Sequence, residues 1–441
     1  MIAGTGSGCG KTTVTCAVLQ AIQSRDIAVS SFKCGPDYID PMFHQTVIGA
    51  SAHNLDSFFC DRDALCSLLD LYAGEISVIE GVMGFYDGGQ SSAHRVSELT
   101  ETPVILVLSC RGMSDSIGAV MHGFLQYNKP NQIAGFIFNR LPDKLIPLAK
   151  RLCQDMGTQF FGSFPESHIT LESRHLGLVT TSEISDIREK MHSLGETAGQ
   201  YIDIDAILQI ADLPLPAHTR HRIPQVTKAR PVIAVAKDRA FCFTYAENLY
   251  TLEQLGADIV YFSPISDCRL PDCDGLYLPG GYPELYAKAL SANTAMRCAV
   301  ADAIHKGMPA IAECGGFLYL HDTLETENGV CLPMAGVIHE NAFPTRKLQR
   351  FGYVKLTARH PNLLCEAGEQ LTAHEFHYWD CASPGNSFHA VKPDGRAWDC
   401  VHANARLYAG FPHLYWYADL RPAKRFVLAC EQFKEERHDT R

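Results

Sequence analysis

The stretch Gly4–Thr13, GTGSGCGKTT, decides how the first half of the chain is read, because VTCAVLQAIQ follows it with the apolar spacing of a helix. A glycine-rich turn opening a helix is a phosphate-binding loop. Gly8 and Gly10 let backbone N–H groups turn inward around phosphate oxygens, and Lys11 reaches the terminal phosphates of ATP. Thr12 offers its hydroxyl to Mg²⁺, and Thr13 completes the nucleotide-contacting run. The general pattern GxxxxGK[ST] wants glycine where Thr5 stands; Gly4 lies one residue earlier, so this is a longer-spaced variant. Only Met1–Ala3 precede it as a strand, and the true start is expected upstream.

Outward from this loop, short apolar runs bounded by turn residues alternate with longer segments: SVIEGV (77–82), VILVLS (104–109), IAGFIFNR (133–140) and FFGSFP (160–165). Buried strands alternating with helices imply a parallel, doubly wound sheet. The segment from Asp212 to Pro231 carries four prolines and mixed charge without apolar periodicity, which reads as a linker. The rhythm then restarts with PVIAVA (231–236), DIVYFS (258–263), GLYLPGG (275–281) and PAIAEC (309–314). The expected fold class is therefore α/β, two tandem doubly wound domains spanning 1–228 and 229–441.

Composition narrows the function. With 46% hydrophobic and 20% charged residues the chain is globular, and no apolar run approaches the roughly 20 residues that span a bilayer. A net charge of −11 without a basic run argues against nucleic acid as partner. The 17 cysteines show no CxxC pair or zinc-type spacing, so neither a disulfide framework nor a structural metal is indicated. No secretory leader precedes the glycine loop, and a cytoplasmic location is expected.

Two further motifs in the first half carry acids. KCGPDYIDP (33–41) sets Asp37 and Asp40 three apart around a turn, and EGVMGFYDG (80–88) puts Glu80 at the end of a buried strand with Asp87 in the loop beyond. Carboxylates beside a triphosphate suit Mg²⁺ coordination and phosphoryl transfer, with Thr12, Asp37 and Glu80 as the candidate ligands. Turn formers, a helix cap and a loop acid are the plainer alternatives.

In the second half, AECGGFLYL (312–320) places Cys314 on a strand-to-helix turn that exposes the thiol at a helix N-terminus, where its pKa is expected to fall. LPGGYPELY (278–286) and Gly315 offer an oxyanion hole in the N–H groups of Gly281 and Gly315, and YAGFPHLYW (408–416) offers His413 as general base. His374 and His377 of HEFHYW tempt a metal reading, but no further ligand stands at metal spacing, and a loop packed against the domain interface or the substrate is expected there. FCFTY (241–245) reads as core or helix-cap packing.

The second half resembles class I glutamine amidotransferase domains, and the chain as a whole resembles the cobyrinate a,c-diamide synthase family. The likeness runs from GTGSGCGKTT through KCGPDYIDP, EGVMGFYDG, GFIFNR and HLGLV to GGYPELYA, ECGGFLYL, HEFHYW and the late histidine. It implies an ATP-binding, dethiobiotin synthetase-like first domain and a glutaminase second domain; a channel between them is expected, to keep ammonia from being protonated and diluted. It also implies that Asp37, Asp40, Glu80 and Asp87 belong to the synthetase site, that Tyr38 and Ile39 lie between substrate and nucleotide, and that Asn139 lies near the adenine. Cys314 becomes the glutaminase nucleophile and His413 its activator. The implied partners are a corrinoid substrate (cobyrinate), L-glutamine and ATP, amidated at the a and c carboxylates; self-association into a homo-oligomer is left open. Alternatives are the same chemistry on hydrogenobyrinate or nickel-sirohydrochlorin, or a regulatory P-loop ATPase with an inactive glutaminase-like domain. The sequence departs from the pattern in three places. Ala312 replaces the glycine that opens many cysteine elbows, FPHLYWY differs from the ASYxHLHF-like run, and Tyr415 stands where many class I enzymes carry the triad glutamate. The group that orients His413 is therefore unassigned.

Overall fold

The apolar runs become strands whose alternate residues feed two faces. The computed structural model describes residues 1–166 and 181–439, and its contacts divide the chain into two units, Met1–His221 and Arg222–Arg441. The HLGLV segment, 175–179, lies outside the described residues. In the first unit β1 (Ile2–Gly4), β2 (Val29–Cys34), β3 (Ser51–Leu55), β4 (Ile76–Glu80), β5 (Val104–Ser109), β6 (Ile133–Asn139) and β7 (Gln159–Phe164) form one parallel sheet, ordered β3-β2-β4-β1-β5-β6-β7. The helix α1 (Lys11–Gln23) leaves the glycine loop after β1 and buries Val14, Val18 and Ile22 in a core shared with Ile105 and Val107 of β5. Because β1 lies between β4 and β5, the glycine loop opens at the carboxyl ends of three adjacent strands, where open α/β sheets bind ligands.

The second unit repeats the principle and adds to it. Its strands are β8 (Val232–Ala236), β9 (Phe241–Phe243), β10 (Asp258–Phe262), β11 (Gly275–Leu278), β12 (Gly280–Gly281) and β13 (Ala310–Glu313). They continue with β14 (His321–Glu325), β15 (Cys331–Pro333), β16 (Ile338–Ala358), β17 (Gln370–Cys381) and β18 (Phe388–Val391). The last four are β19 (Ala397–Cys400), β20 (His402–Ala403), β21 (Leu407–Gly410) and β22 (His413–Leu414). A sheet ordered β10-β8-β11-β13-β21-β20 is parallel except for β20. Ile233, Val235, Tyr277 and Ile311 face one core while Ala234, Leu276, Leu278 and Ala312 face another, so both faces of this sheet are covered.

A second sheet, ordered β15-β14-β16-β17-β22 with β18 and β19 alongside, was not anticipated; apart from the parallel β14–β16 pair it is antiparallel. It corrects the reading of HEFHYW as a loop, since these residues lie inside β17. It also removes the physical basis for a shared metal, because residues three apart on a strand point to opposite faces.

The helix Gly315–Tyr319 lies so close to β11 that a Cβ on Gly316 would collide with the Leu278 carbonyl oxygen and come within 2.6 Å of its carbon. The Gly316→Ala variant is expected to lose about 1–3 kcal/mol of stability through this backbone clash. Equilibrium urea unfolding of both proteins measures it; an unchanged midpoint would remove the close approach from the account.

Candidate active sites

In the first unit the phosphate loop is shaped by steric necessity. Gly8 and Gly10 have φ of 76° and 94°, a region L side chains rarely adopt. A Cβ on Gly10 would also strike the Asn139 amide. Asn139, at the end of β6, donates from Nδ2 to the Cys9 carbonyl at 2.8 Å and so braces the loop from below. Lys11, Thr12 and Thr13 occupy the first turn of α1, half-buried.

Beside this loop stands a charge cluster that the sequence reading saw only in part. Parallel pairing of β2 and β4 sets Lys33 opposite Glu80. Lys33 Nζ contacts Glu80 Oε1 at 2.9 Å, Asp37 Oδ2 at 3.9 Å and Asp40 Oδ2 more closely still, with the lysine 3% and the glutamate 0% exposed. The Thr12 hydroxyl donates to the same Glu80 oxygen at 2.6 Å, which ties the P-loop to the cluster. On its other side, His44 Nε2 stands 3.5 Å from Glu80 Oε2, and Ser31 Oγ lies 2.7 Å from His44 Nδ1.

Burial alone would push the Lys33 ammonium down, but Glu80, Asp40 and Asp37 raise it above the ordinary lysine range. Burial would raise Asp40, yet the charge and hydrogen bond of Lys33 hold it below the usual carboxylate range. Asp37 is pushed up by burial and by Asp40 beside it. Its Oδ1 also accepts the N–H groups of Ile39 at 2.9 Å and Asp40 at 3.2 Å, so the acid caps the short helix Ile39–Phe43 as well as facing the cluster. Tyr38 and Ile39 lie at the start of that helix, half-buried. Asp87 does not join the cluster: it is exposed and its carboxylate accepts Gly84 N–H at 3.0 Å within its own loop.

Thr12, Asp37 and Glu80 present hard oxygen donors, and Glu80 Oε2 is buried without a hydrogen bond. Such a set suits Mg²⁺ when phosphate oxygens and water complete the octahedron. Among the described residues no three His, Cys, Asp or Glu side chains could hold an ion by themselves.

In the second unit Cys314 sits between β13 and the helix Gly315–Tyr319 at φ 47°, ψ −101°, a strained backbone for a residue with a Cβ. Its N–H donates to the Gly410 carbonyl at 2.8 Å, and its thiol points to the Phe376 carbonyl at 3.8 Å. A Cβ on Gly315 would lie 2.9 Å from Gly281 N, so the backbone N–H groups expected to form an oxyanion hole belong to neighbouring residues in space as well. β12 is held in place by β9, with Phe243 against Gly280 and Tyr282. That gives FCFTY a share in shaping the site. The His413 ring lies over Gly280, whose Cβ would come within 2.5 Å of His413 Cε1. The geometry therefore gathers Cys314, Gly315, Gly281 and His413.

The electrostatics correct one expectation. Burial, followed by the nearby Glu284, pushes the Cys314 thiol up, and the Gly315 N–H lowers it by less. A helix of five residues supplies too little dipole to offset burial. His413 is pushed down to about 3 by burial, then by His374 and His377, which leaves a neutral imidazole at ordinary pH. Both partners rest uncharged.

With this geometry in view, residues 1–178 match the CobQ/CobB/MinD/ParA nucleotide binding domain and residues 232–419 match the CobB/CobQ-like glutamine amidotransferase domain. Cobyrinate a,c-diamide synthase of Caldanaerobacter subterraneus subsp. tengcongensis is 35% identical over 98% of this chain and 98% of its own. Enzymes of the same name from Priestia megaterium, 34% identical over 100% and 98%, and Salmonella typhimurium, 37% identical over 94% of each, match likewise. Fold and sites thus define a P-loop nucleotide-binding domain followed by a glutamine amidotransferase domain. More narrowly, the chain belongs to the cobyrinate a,c-diamide synthase family.

Lys33 and His44 are the functional candidates that the sequence reading passed over. Replacing Lys33 by Met strands Glu80 and Asp40 without their cation, and is expected to cost about 3–5 kcal/mol of stability at pH 7. Asp40, held low by Lys33, contributes stability above its unfolded value of 3.8, and that contribution is lost as pH falls through its lower folded value. The difference between Lys33→Met and wild type should therefore shrink on acidification. Urea titrations at neutral and acidic pH read this; a gap that does not narrow contradicts the charge account.

Proposed function

We propose that this chain amidates the a and c carboxylates of cobyrinate, using ATP to activate each carboxylate and L-glutamine as the source of ammonia. What supports the reading most is one observation: a P-loop tied to a buried carboxylate cluster and a strained cysteine elbow occur in one chain, in the order of its full-length relatives.

In the glutaminase half, residues 229–441, His413 takes the Cys314 proton as the sulfur attacks the side-chain carbonyl of glutamine. The N–H groups of Gly281 and Gly315 stabilise the oxyanion. The C–N bond breaks, ammonia leaves with the proton from His413, and water hydrolyses the glutamyl thioester to glutamate and free thiol. Because Cys314 and His413 both rest neutral, proton transfer waits for a substrate that stabilises the resulting charge.

In the synthetase half, residues 1–228, the glycine loop with Gly8 and Gly10 holds the phosphates, Lys11 and Thr13 bind their oxygens, and Asn139 forms the wall near the adenine. Thr12, Asp37 and Glu80 hold Mg²⁺, which when bound spreads the charge of the transferring phosphoryl group. Lys33 keeps Asp40 ionised and pairs with Glu80, and Tyr38, Ile39 and Asp87 border the substrate. The macrocycle carboxylate attacks the γ-phosphorus of ATP, ADP leaves, and ammonia then displaces phosphate to leave the carboxamide. All 17 cysteines are free thiols, which suits a reducing compartment, and we place the protein in the cytoplasm.

Cys314→Ala should abolish glutamine-dependent amidation of cobyrinate while amidation with added ammonia persists. Loss of both would break the division of labour. Lys11→Ala should lower amidation from either nitrogen source by at least about 100-fold while glutamate release from glutamine continues. Unchanged amidation would take Lys11 out of the mechanism, and faster turnover of another tetrapyrrole than of cobyrinate would reassign the substrate.

A further inference from the structure

The acid that many class I enzymes place two residues after the histidine is missing, since Tyr415 occupies that position and its ring meets Tyr245 edge-on at 5.0 Å. Another acid sits immediately before the nucleophile. Glu313 ends β13, is 1% exposed, and spends both carboxyl oxygens on specific partners. Its Oε1 accepts the Leu414 N–H at 3.1 Å and its Oε2 accepts the Tyr277 hydroxyl at 3.0 Å.

Leu414 is the second residue of β22, whose first residue is His413. A two-residue strand has little register of its own. On one side it pairs with β17, Ala373 opposite Leu414 and His374 opposite His413. Asn248 holds this segment further, its Nδ2 donating to the Leu414 carbonyl at 2.9 Å and its Oδ1 accepting the N–H of Trp416, beyond the strand, at 2.8 Å. Glu313 supplies the only link in this set that begins on the residue adjacent to Cys314.

We propose that Glu313 is a positioning residue for the glutaminase reaction, fixing the His413 strand to the Cys314 elbow through the Leu414 N–H and so replacing the missing acid after His413. This rests on the reading of Cys314 and His413 as nucleophile and base. Glu313 acts through the backbone, not by contact with the imidazole, so it sets where the base stands. A misplacement of about 1 Å at a reacting pair costs on the order of 100-fold in rate. Burial pushes Glu313 up to about 8 against the two hydrogen bonds, and a glutamine side chain keeps a carbonyl oxygen that can accept the Leu414 N–H.

Three variants of the full-length enzyme test this against the Cys314→Ala control, each assayed for kcat and KM of glutamine-dependent amidation and for ammonia-dependent amidation. Glu313→Asp is one methylene too short to reach Leu414 and should lose roughly 10- to 100-fold in glutamine-dependent kcat, with KM held within about twofold. Glu313→Leu should be at least as slow. Glu313→Gln keeps an acceptor for the Leu414 N–H and should stay within about threefold of wild type. All three should retain ammonia-dependent turnover. Should the leucine variant fail to fold, the aspartate and glutamine pair still decides. A wild-type kcat in Glu313→Asp overturns the assignment, as does a Glu313→Gln enzyme as slow as Glu313→Asp. Glutamine-dependent turnover surviving in Cys314→Ala locates the failure in the nucleophile reading, and the positioning role falls with it.

Discussion

Both sites depend on one steric constraint: at the carboxyl end of a parallel strand the chain must turn into a helix where no Cβ fits. At Gly10 the obstacle is the Asn139 amide that braces the loop, and at Gly316 it is the Leu278 backbone. Parallel strands buried on both faces present unpaired backbone N–H groups where their ends turn into helices. Glycine at the turn lets those groups converge on an anion. In the first unit the geometry suits a phosphate chain, and in the second an oxyanion. Cys314 takes positive φ with a side chain, at a cost of order 1–3 kcal/mol. The hydrogen bond from its N–H to Gly410 is one of the contacts that keep it there.

The two sites handle burial in opposite ways. Around Lys33, three carboxylates surround one buried ammonium, and mutual attraction raises Lys33 and lowers Asp40 against burial, while burial and Asp40 push Asp37 up. The cluster is a fixed field at the edge of the P-loop, and Thr12 joins the two. Around Cys314 burial keeps thiol and imidazole neutral. The first arrangement suits binding of a charged nucleotide, whose phosphates and metal meet groups that need no reorganisation. The second suits a nucleophile that stays unreactive without its substrate.

Legibility in the sequence followed the range of the interaction. GTGSGCGKTT and AECGGFLYL are local, so each glycine could be assigned before any fold was known, and the apolar runs of β4 to β6 are long enough to announce a parallel sheet. Lys33 lay in a quoted motif and was passed over, because its partner Glu80 reaches it only through the β2–β4 register. The second sheet of the second unit gave little signal: β16 carries charges, Pro344 and Gly352, and its pairing with β17 shifts register twice, which breaks the period-two pattern. HEFHYW was therefore seen as a polar cluster and not as a strand. The expectation of a lowered Cys314 pKa failed for a related reason, since proximity to a helix start is visible in sequence whereas complete burial is not.

The missing acid after His413 also bears on how long the base can stay charged. An ion-paired carboxylate stabilises an imidazolium both before and after the nucleophilic attack. Burial, followed by His374 and His377, disfavours the charged form of His413. On the proposed mechanism its protonated form exists only while a negative charge on the sulfur or the oxyanion stands beside it. Collapse of the tetrahedral intermediate removes that charge, and the proton must depart with ammonia in the same step. An arrangement that positions the histidine through its backbone and keeps its imidazole buried and neutral at rest therefore couples proton return to C–N cleavage. The uncharged Cys314–His413 pair is restored without a separate deprotonation once the thioester has been hydrolysed.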